Sequence, residues 1–188
     1  KHDLRMGTIA DLIEHRALHE QSVELRNSKT VNTEWGEFEL HTFLDLIDDS
    51  VHYALTRGEI REEQDTLVRV QDVNTLRDVL GTRISEQEPG WSYRLAMEHI
   101  ARQEVGVVVM LSQPMSAEQS LEAVMRFPDP SSIGGPGSSQ GVHNYRLIGT
   151  GSQILKQVGV GKMRLLSAPI RFNAISGFNL EVTEFVEV

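Results

Sequence analysis

The sequence predicts an α/β protein, a mixed sheet sandwiched between helices. Three observations carry this reading. Val107 to Leu111, inside the run GVVVML, is continuously apolar and rich in valine, the pattern of a strand buried on both faces. Helical patterns flank it. Tyr93, Met97 and Ile100 recur on one helical face before it. Ser116 to Phe127 after it opens with a capping box, Ser116 to Gln119. The third observation is the run Gly149 to Leu166, GTGSQILKQVGVGKMRLL, which reads as a glycine-rich turn, a short helix and a buried strand. Helices alternating with strands around an apolar central strand define the class.

The elements follow in order. Thr8 caps an N-terminal helix, with Asp11 three positions on and an apolar stripe of Ile9, Leu12, Ile13, Ala17 and Leu18. His15 and His19 are four apart, which is ligand spacing. They fall among Arg16, Glu14 and Glu20, so a solvated polar face is the plainer reading. A strand-rich half comes next. Phe38 and Leu40 alternate, as do Val51, Tyr53 and Leu55, with a turn at Asp48-Asp49-Ser50. Leu67 to Val70 is a further strand. Trp91 and Met115 are read as core rather than as pocket lining. Pro128 to Gln140, rich in proline, glycine and serine, reads as a mobile loop.

In the glycine-rich run, Gly149 and Gly151 free the backbone for a tight entry and Ser152 caps the helix. Ile154, Leu155 and Val158 share a face, and Gly159 stands where a C′ residue belongs. Arg146, Lys162 and Arg164 lie near in sequence, and a turn of this kind can hold an anion. The spacing matches neither GxxxxGKS nor GxGxxG, so on spacing alone an ordinary loop-helix-strand unit is the plainer reading.

Composition sets bounds. The chain has 188 residues, 39% of them hydrophobic, and a core of useful size needs no disulfides. No apolar run nears the length of a membrane span, and the start KHDLRMGTIADL lacks the apolar region of a signal peptide. There is no cysteine, which excludes a disulfide scaffold and leaves the cytoplasm as the default compartment. The net charge of −9 argues against a broad nucleic-acid footprint, although a pocket's local field can differ from the total. The chain does not begin with methionine, and we expect it to be a piece of something longer.

The glycine-rich run resembles the YGIGAQIL…LGV…MRLL segment of GTP cyclohydrolase II, an enzyme of riboflavin synthesis. WGEF (Trp35 to Phe38), RGEI (Arg57 to Ile60), LVRV (Leu67 to Val70) and GFNLEV (Gly177 to Val182) resemble further strands of that family. MGTIADLIEHRALHE, Met6 to Glu20, is similar to the junction of bifunctional riboflavin proteins, where a dihydroxybutanone-phosphate synthase domain comes first. The resemblance implies a mixed-sheet sandwich of the GTP cyclohydrolase II type. It implies a linker helix over residues 1–30 and a cyclohydrolase-like domain over 31–188. As partners it implies GTP or a related nucleotide, an upstream synthase domain and a second copy in a homodimer, with no nucleic acid and no membrane.

The resemblance also implies a zinc ion held by three thiolates, which activates the water that opens the imidazole ring of GTP and releases formate. Bound zinc lowers the pKa of water to roughly 7. Here Asn74, Ser85 and Gln87 stand at the cysteine positions, and Gln71 replaces a neighbouring histidine, while Asp78, Val79 and Gly81 match. Amide and hydroxyl oxygens are poor zinc donors, so no zinc and no other cofactor is expected. The family's Asp-x-Arg, proposed there as base and covalent nucleophile toward the α-phosphate, becomes Asn144-Tyr145-Arg146. Arg146 is kept, but the amide of Asn144 cannot accept a proton at neutral pH. Of the phosphate and guanine loop only Gln113 matches, and the family's TNNP becomes Ser167-Ala168-Pro169. Arg69 is the best remaining candidate for a phosphate contact.

Each residue also has a plain reading. Arg69 alternates with Val68 and Val70 and would face solvent on an edge strand. Arg146 would be a surface charge, and Asp78 a turn or cap residue. The function expected is a cyclohydrolase-like domain without zinc-dependent ring opening, kept as an accessory, dimerising or regulatory module. The alternatives are an active GTP-processing enzyme, including one that only releases pyrophosphate, and a nucleotide-binding sensor.

Overall fold

The computed structural model describes residues 20–82, 90–127, 141–169 and 179–188, with the backbone alone for 141–146. The sequence-read features at Thr8 to Leu18, His15 and His19, Ser85, Gln87 and Pro128 to Gln140 lie outside the described residues, as do the side chains of Asn144 and Arg146.

Seven strands make one sheet in the order β1-β2-β3-β5-β4-β6-β7. They are β1 (Val23–Thr33), β2 (Gly36–Asp45), β3 (Val51–Arg57), β4 (Asp65–Asp72), β5 (Gly106–Leu111), β6 (Lys162–Leu166) and β7 (Glu181–Val186). β1, β2, β3 and β5 pair antiparallel in sequence, while β5, β4, β6 and β7 run parallel. The helices are α1 (Tyr93–Ala101), α2 (Ala117–Arg126) and α3 (Gly141–Gln157), with a π-helical turn at Thr75–Val79.

β5 is the centre. Val107, Val108 and Val109 are fully buried although their side chains alternate between the two faces. Val107, Val109 and Leu111 join Phe43, Val68, Ile154 and Leu155 in one core, beneath α3. Val108 joins Leu55, Leu67, Trp91, Met97 and Ile100 in the other, beneath α1. The mixed-sheet sandwich read from sequence is the fold. Ser92 caps α1 by accepting from Leu95 N, and the Ser116–Gln119 capping box of α2 is formed in both directions. In the β2–β3 turn Asp48 Oδ1 accepts from Ser50 N at 3.0 Å.

Three local readings are corrected. β1 pairs along its length with β2, a strand that the polar run NSKTVNT conceals. Gly149 to Leu166 has no glycine turn: α3 is continuous from Gly141, and Ser152 is buried inside it rather than capping it. The glycine serves close packing, since a Cβ on Gly151 would sit 3.1 Å from Val70 Cγ1. Gly159 does end the helix, with φ +90° and a paired set of bonds, Val160 N to Leu155 O and Gly159 N to Lys156 O. Met115 is half exposed, not core, whereas Trp91 is buried.

A candidate ligand-loop site at the end of β4

Brought together at the carboxyl end of β4 are Arg69, Gln71, Asp72, Asn74, Arg77 and Asp78. Strand alternation aims Arg69 and Gln71 to the same face. Arg69 donates from Nε to Gln71 Oε1 at 3.2 Å, from Nη1 to Leu166 O at 2.6 Å and from Nη2 to Trp91 O at 3.0 Å. β4 lies between β5 and β6, so the edge-strand reading of Arg69 is overturned. Burial, and then the neighbouring Arg77 charge, push its pKa down to about 10, which leaves it charged at neutral pH. Three of its five N–H groups thus pin the ends of β4, β6 and α1 together.

Asp78 is the hub of the turn that follows. Its Oδ1 accepts from Gln71 Nε2 at 2.6 Å and from Arg77 Nε at 3.0 Å. Its Oδ2 accepts from Asn74 N at 2.9 Å and Arg77 Nη2 at 3.0 Å. Arg77 also reaches the backbone carbonyl of Asp72, with the Asp72 carboxylate 3.5 Å away. Burial alone would lower the Arg77 pKa, but hydrogen bonds to Asp78 and the charges of Asp72 and Asp78 raise it above its ordinary value. Asn74 caps the π turn: its Oδ1 accepts from Arg77 N at 3.1 Å. Asp78 is therefore a turn-organising residue, as its plain reading had it. Arg77 and Gln71 as its partners were missed, and only the run of alternating charge Asp72…Arg77-Asp78 hinted at them.

The zinc that the family resemblance implies does not fit these residues. No thiolate exists in the chain. The Asn74 oxygen is committed to a backbone N–H, and the two Asp78 oxygens accept four bonds from three residues, Gln71, Asn74 and Arg77. Among the described residues no three His, Asp or Glu side chains gather to hold a metal ion. Two guanidinium groups and two carboxylates also cancel, so this edge offers no net positive charge.

A second polar cluster lies beside it, at the end of β5. His52 accepts from Ser112 N on Nδ1 at 3.1 Å. A neutral ring therefore carries its proton on Nε2, toward Ser50 Oγ at 3.3 Å and Asp45 Oδ2 at 3.7 Å. Thr150 Oγ1 of α3 donates to the same Asp45 oxygen at 3.4 Å. All four side chains are buried, so the cluster ties β2, β3 and α3 together below the loop that bears Gln113. Gln113 itself is half-buried in that loop. Asn144 and Arg146 fall in the first turns of α3. Lys162 and Arg164, read as flanking an anion site, instead pair with Glu63 and Glu184.

Sheet order, two-sided core and a polar-locked turn after β4 define an α/β domain of the type that the sequence motifs suggested. The comparisons with known proteins agree. Residues 24–187 match the GTP cyclohydrolase II family, and the chain belongs to it. It is 43% identical over 187 residues to a 3,4-dihydroxy-2-butanone 4-phosphate synthase of Pseudomonas aeruginosa, covering 99% of this chain and 49% of that protein. It is 31% identical over 200 residues to the riboflavin biosynthesis protein RibBA of Aquifex aeolicus, covering 100% of this chain and 47% of that one. Among solved structures it is similar to RibBX, a two-domain 3,4-dihydroxy-2-butanone 4-phosphate synthase from A. baumannii, with TM-score 0.69 and 36% identity over 97% of this chain and 45% of that one. The chain spans about half the length of the curated relatives it matches. No described helix is long and apolar enough to cross a membrane.

Proposed function

We propose that this is a GTP cyclohydrolase II-like domain of a riboflavin-biosynthesis protein that does not open the GTP ring by zinc chemistry, and that it serves a dihydroxybutanone-phosphate synthase half as an accessory module. The observation that carries this reading is the engaged Asn74. At a position where the family resemblance implies a thiolate, its oxygen caps a helical turn and its own N–H is held by Asp78. A loop closed in this way has taken its order from ion pairs rather than from a metal. The Pseudomonas, Photobacterium and Neisseria relatives support it, since their names mention the synthase alone.

The loss extends to proton transfer. With Asn144 in place of the aspartate, the base that the family resemblance implies for Arg146 is missing. Arg69 and Gln113 remain the residues to test for nucleotide contact.

The experiment is elemental analysis of the purified protein together with incubation with GTP. The expected result is no stoichiometric zinc and no formate above the enzyme-free control. Tightly held zinc with formate release would overturn the reading. Pyrophosphate without formate would replace it with partial catalysis through Arg146, and Arg146→Ala would then abolish that release. Saturable GTP binding without either product would make the domain a sensor.

A further inference from the structure

We infer that the sheet edge at the carboxyl ends of the parallel strands is a docking face, and that its occupant is the synthase half with which this domain's relatives are built. The inference rests on the accessory reading above and names the surface through which it would act.

The topology gathers the exposed apolar side chains on that edge. β3 runs antiparallel to β5, so the β2–β3 turn, with Leu46 and Ile47, lies at the same end as Leu111. The π turn follows β4 there, and α2 leaves β5 there. Val79 is 74% exposed, Leu80 65%, Leu121 67% and Met125 85%. No residue of α2 is buried, although Leu121, Val124 and Met125 form an apolar face at helical spacing. The opposite edge is charged instead, with Glu62, Glu63, Asp65, Lys162 and Glu181 around the strand starts. Scattered apolar side chains are ordinary on a surface, but a grouped set rimmed by polar residues marks a contact.

The choice of occupant follows from where the backbone enters and leaves. Leu46 N donates to Ser22 O, which holds the start of β1 at this edge. Gln153 accepts from Ser22 N and Val23 N and donates to Glu20 O, and Gln157 donates to Val23 O. β7 is parallel to β6 and delivers Val188 to the same edge. Any unit joined at either side of residues 20–188 is therefore tethered beside the apolar face. The relatives are about twice the matched length, so they contain a unit of the required size. Tethering gives an effective concentration of roughly millimolar, and interdomain contacts then hold with about 600–1,500 Å² buried. A second, untethered copy lacks that help and needs about 800 Å² on each partner.

The test compares amide hydrogen exchange in the 188-residue chain and in the two-domain protein that contains it. We expect exchange over residues 46–50, 75–80 and 117–126 to be about tenfold slower in the two-domain protein. Leu121→Asp with Met125→Asp should return it to the level of the 188-residue chain while leaving that chain's own Tm unchanged, and Glu63→Lys on the charged edge should change neither. Equal exchange in the two proteins overturns the inference. So does protection of the 188-residue chain that grows with its concentration, which would make a second copy the occupant. Synthase turnover with and without the domain tests the accessory reading separately. If turnover needs the domain while edge variants change nothing, the docking face falls alone. If the edge is protected while turnover ignores the domain, the accessory reading falls alone.

Discussion

The loops after β4 and β5 leave neighbouring parallel strands in register, Asp72 beside Leu111, yet they are built on opposite terms. The loop after β4 is knotted by polar groups. Asp78, Arg77, Gln71 and Asn74 bind one another, Val73 N donates to Leu111 O, and Thr82 returns to Leu76 O. The loop after β5 is anchored at Ser112 by His52 and then relies on one local capping box, with its apolar side chains turned outward. The contrast teaches that a turn can be cross-linked by its own side chains alone, as the described residues 72–82 are. Beyond the Ser112–His52 bond, the side-chain bonds of its neighbour stay within α2 among the described residues.

Substitutions can break or sharpen that contrast. The largest effect is expected from Asp78→Ala, which takes the acceptor from the Gln71 amide and the Asn74 N–H and leaves the half-buried Arg77 with Asp72 alone. We expect a loss of about 2–3 kcal/mol, below the full value for a buried pair because Arg77 keeps some solvent. Urea unfolding measures it, and an unchanged midpoint would show that the knot does not hold the loop. Asn74→Ala removes only the cap, and about 1 kcal/mol should be lost. If instead Asn74→Cys created tight zinc binding, the geometry argued for Asn74 would be wrong. On the other loop, Ser116→Ala should cost about 0.5 kcal/mol, the low end for caps, because α2 is solvated. Smallest of all, Leu121→Ala in the 188-residue chain should shift stability by less than about 0.5 kcal/mol. A larger loss by thermal or urea unfolding would mean that α2 is packed within the domain after all.

Much of the fold was readable because burial leaves a local trace. Val107 to Leu111, Leu67 to Val70 and Met163 to Leu166 are apolar enough to announce strands, and Ser116 with Gln119 announces a helix start. β1 was hidden because it is an edge strand whose outward residues are polar, so alternation fails. Spacing misplaces the start of α3 because it cannot tell a glycine that turns from one that lets a helix approach a strand, and only the contact with Val70 decides. At the site, resemblance puts Asn74 at a metal position, but its capping role depends on an Arg77 N–H that comes within reach only once the π turn has formed. For Arg69, alternation leaves a solvent-facing position and a phosphate contact both open. Three bonds, including one to a carbonyl 97 residues away, override that pattern.

The grip of α3 on the start of β1 has a mechanical consequence. Tension applied to the backbone ahead of Ser22 meets the amides of Gln153 and Gln157 before it can unzip the β1–β2 ladder. The load passes sideways into a helix whose early turns contain Asn144 and Arg146. Movement of anything attached in front of the domain would be felt first at that helix, not at the outer strand.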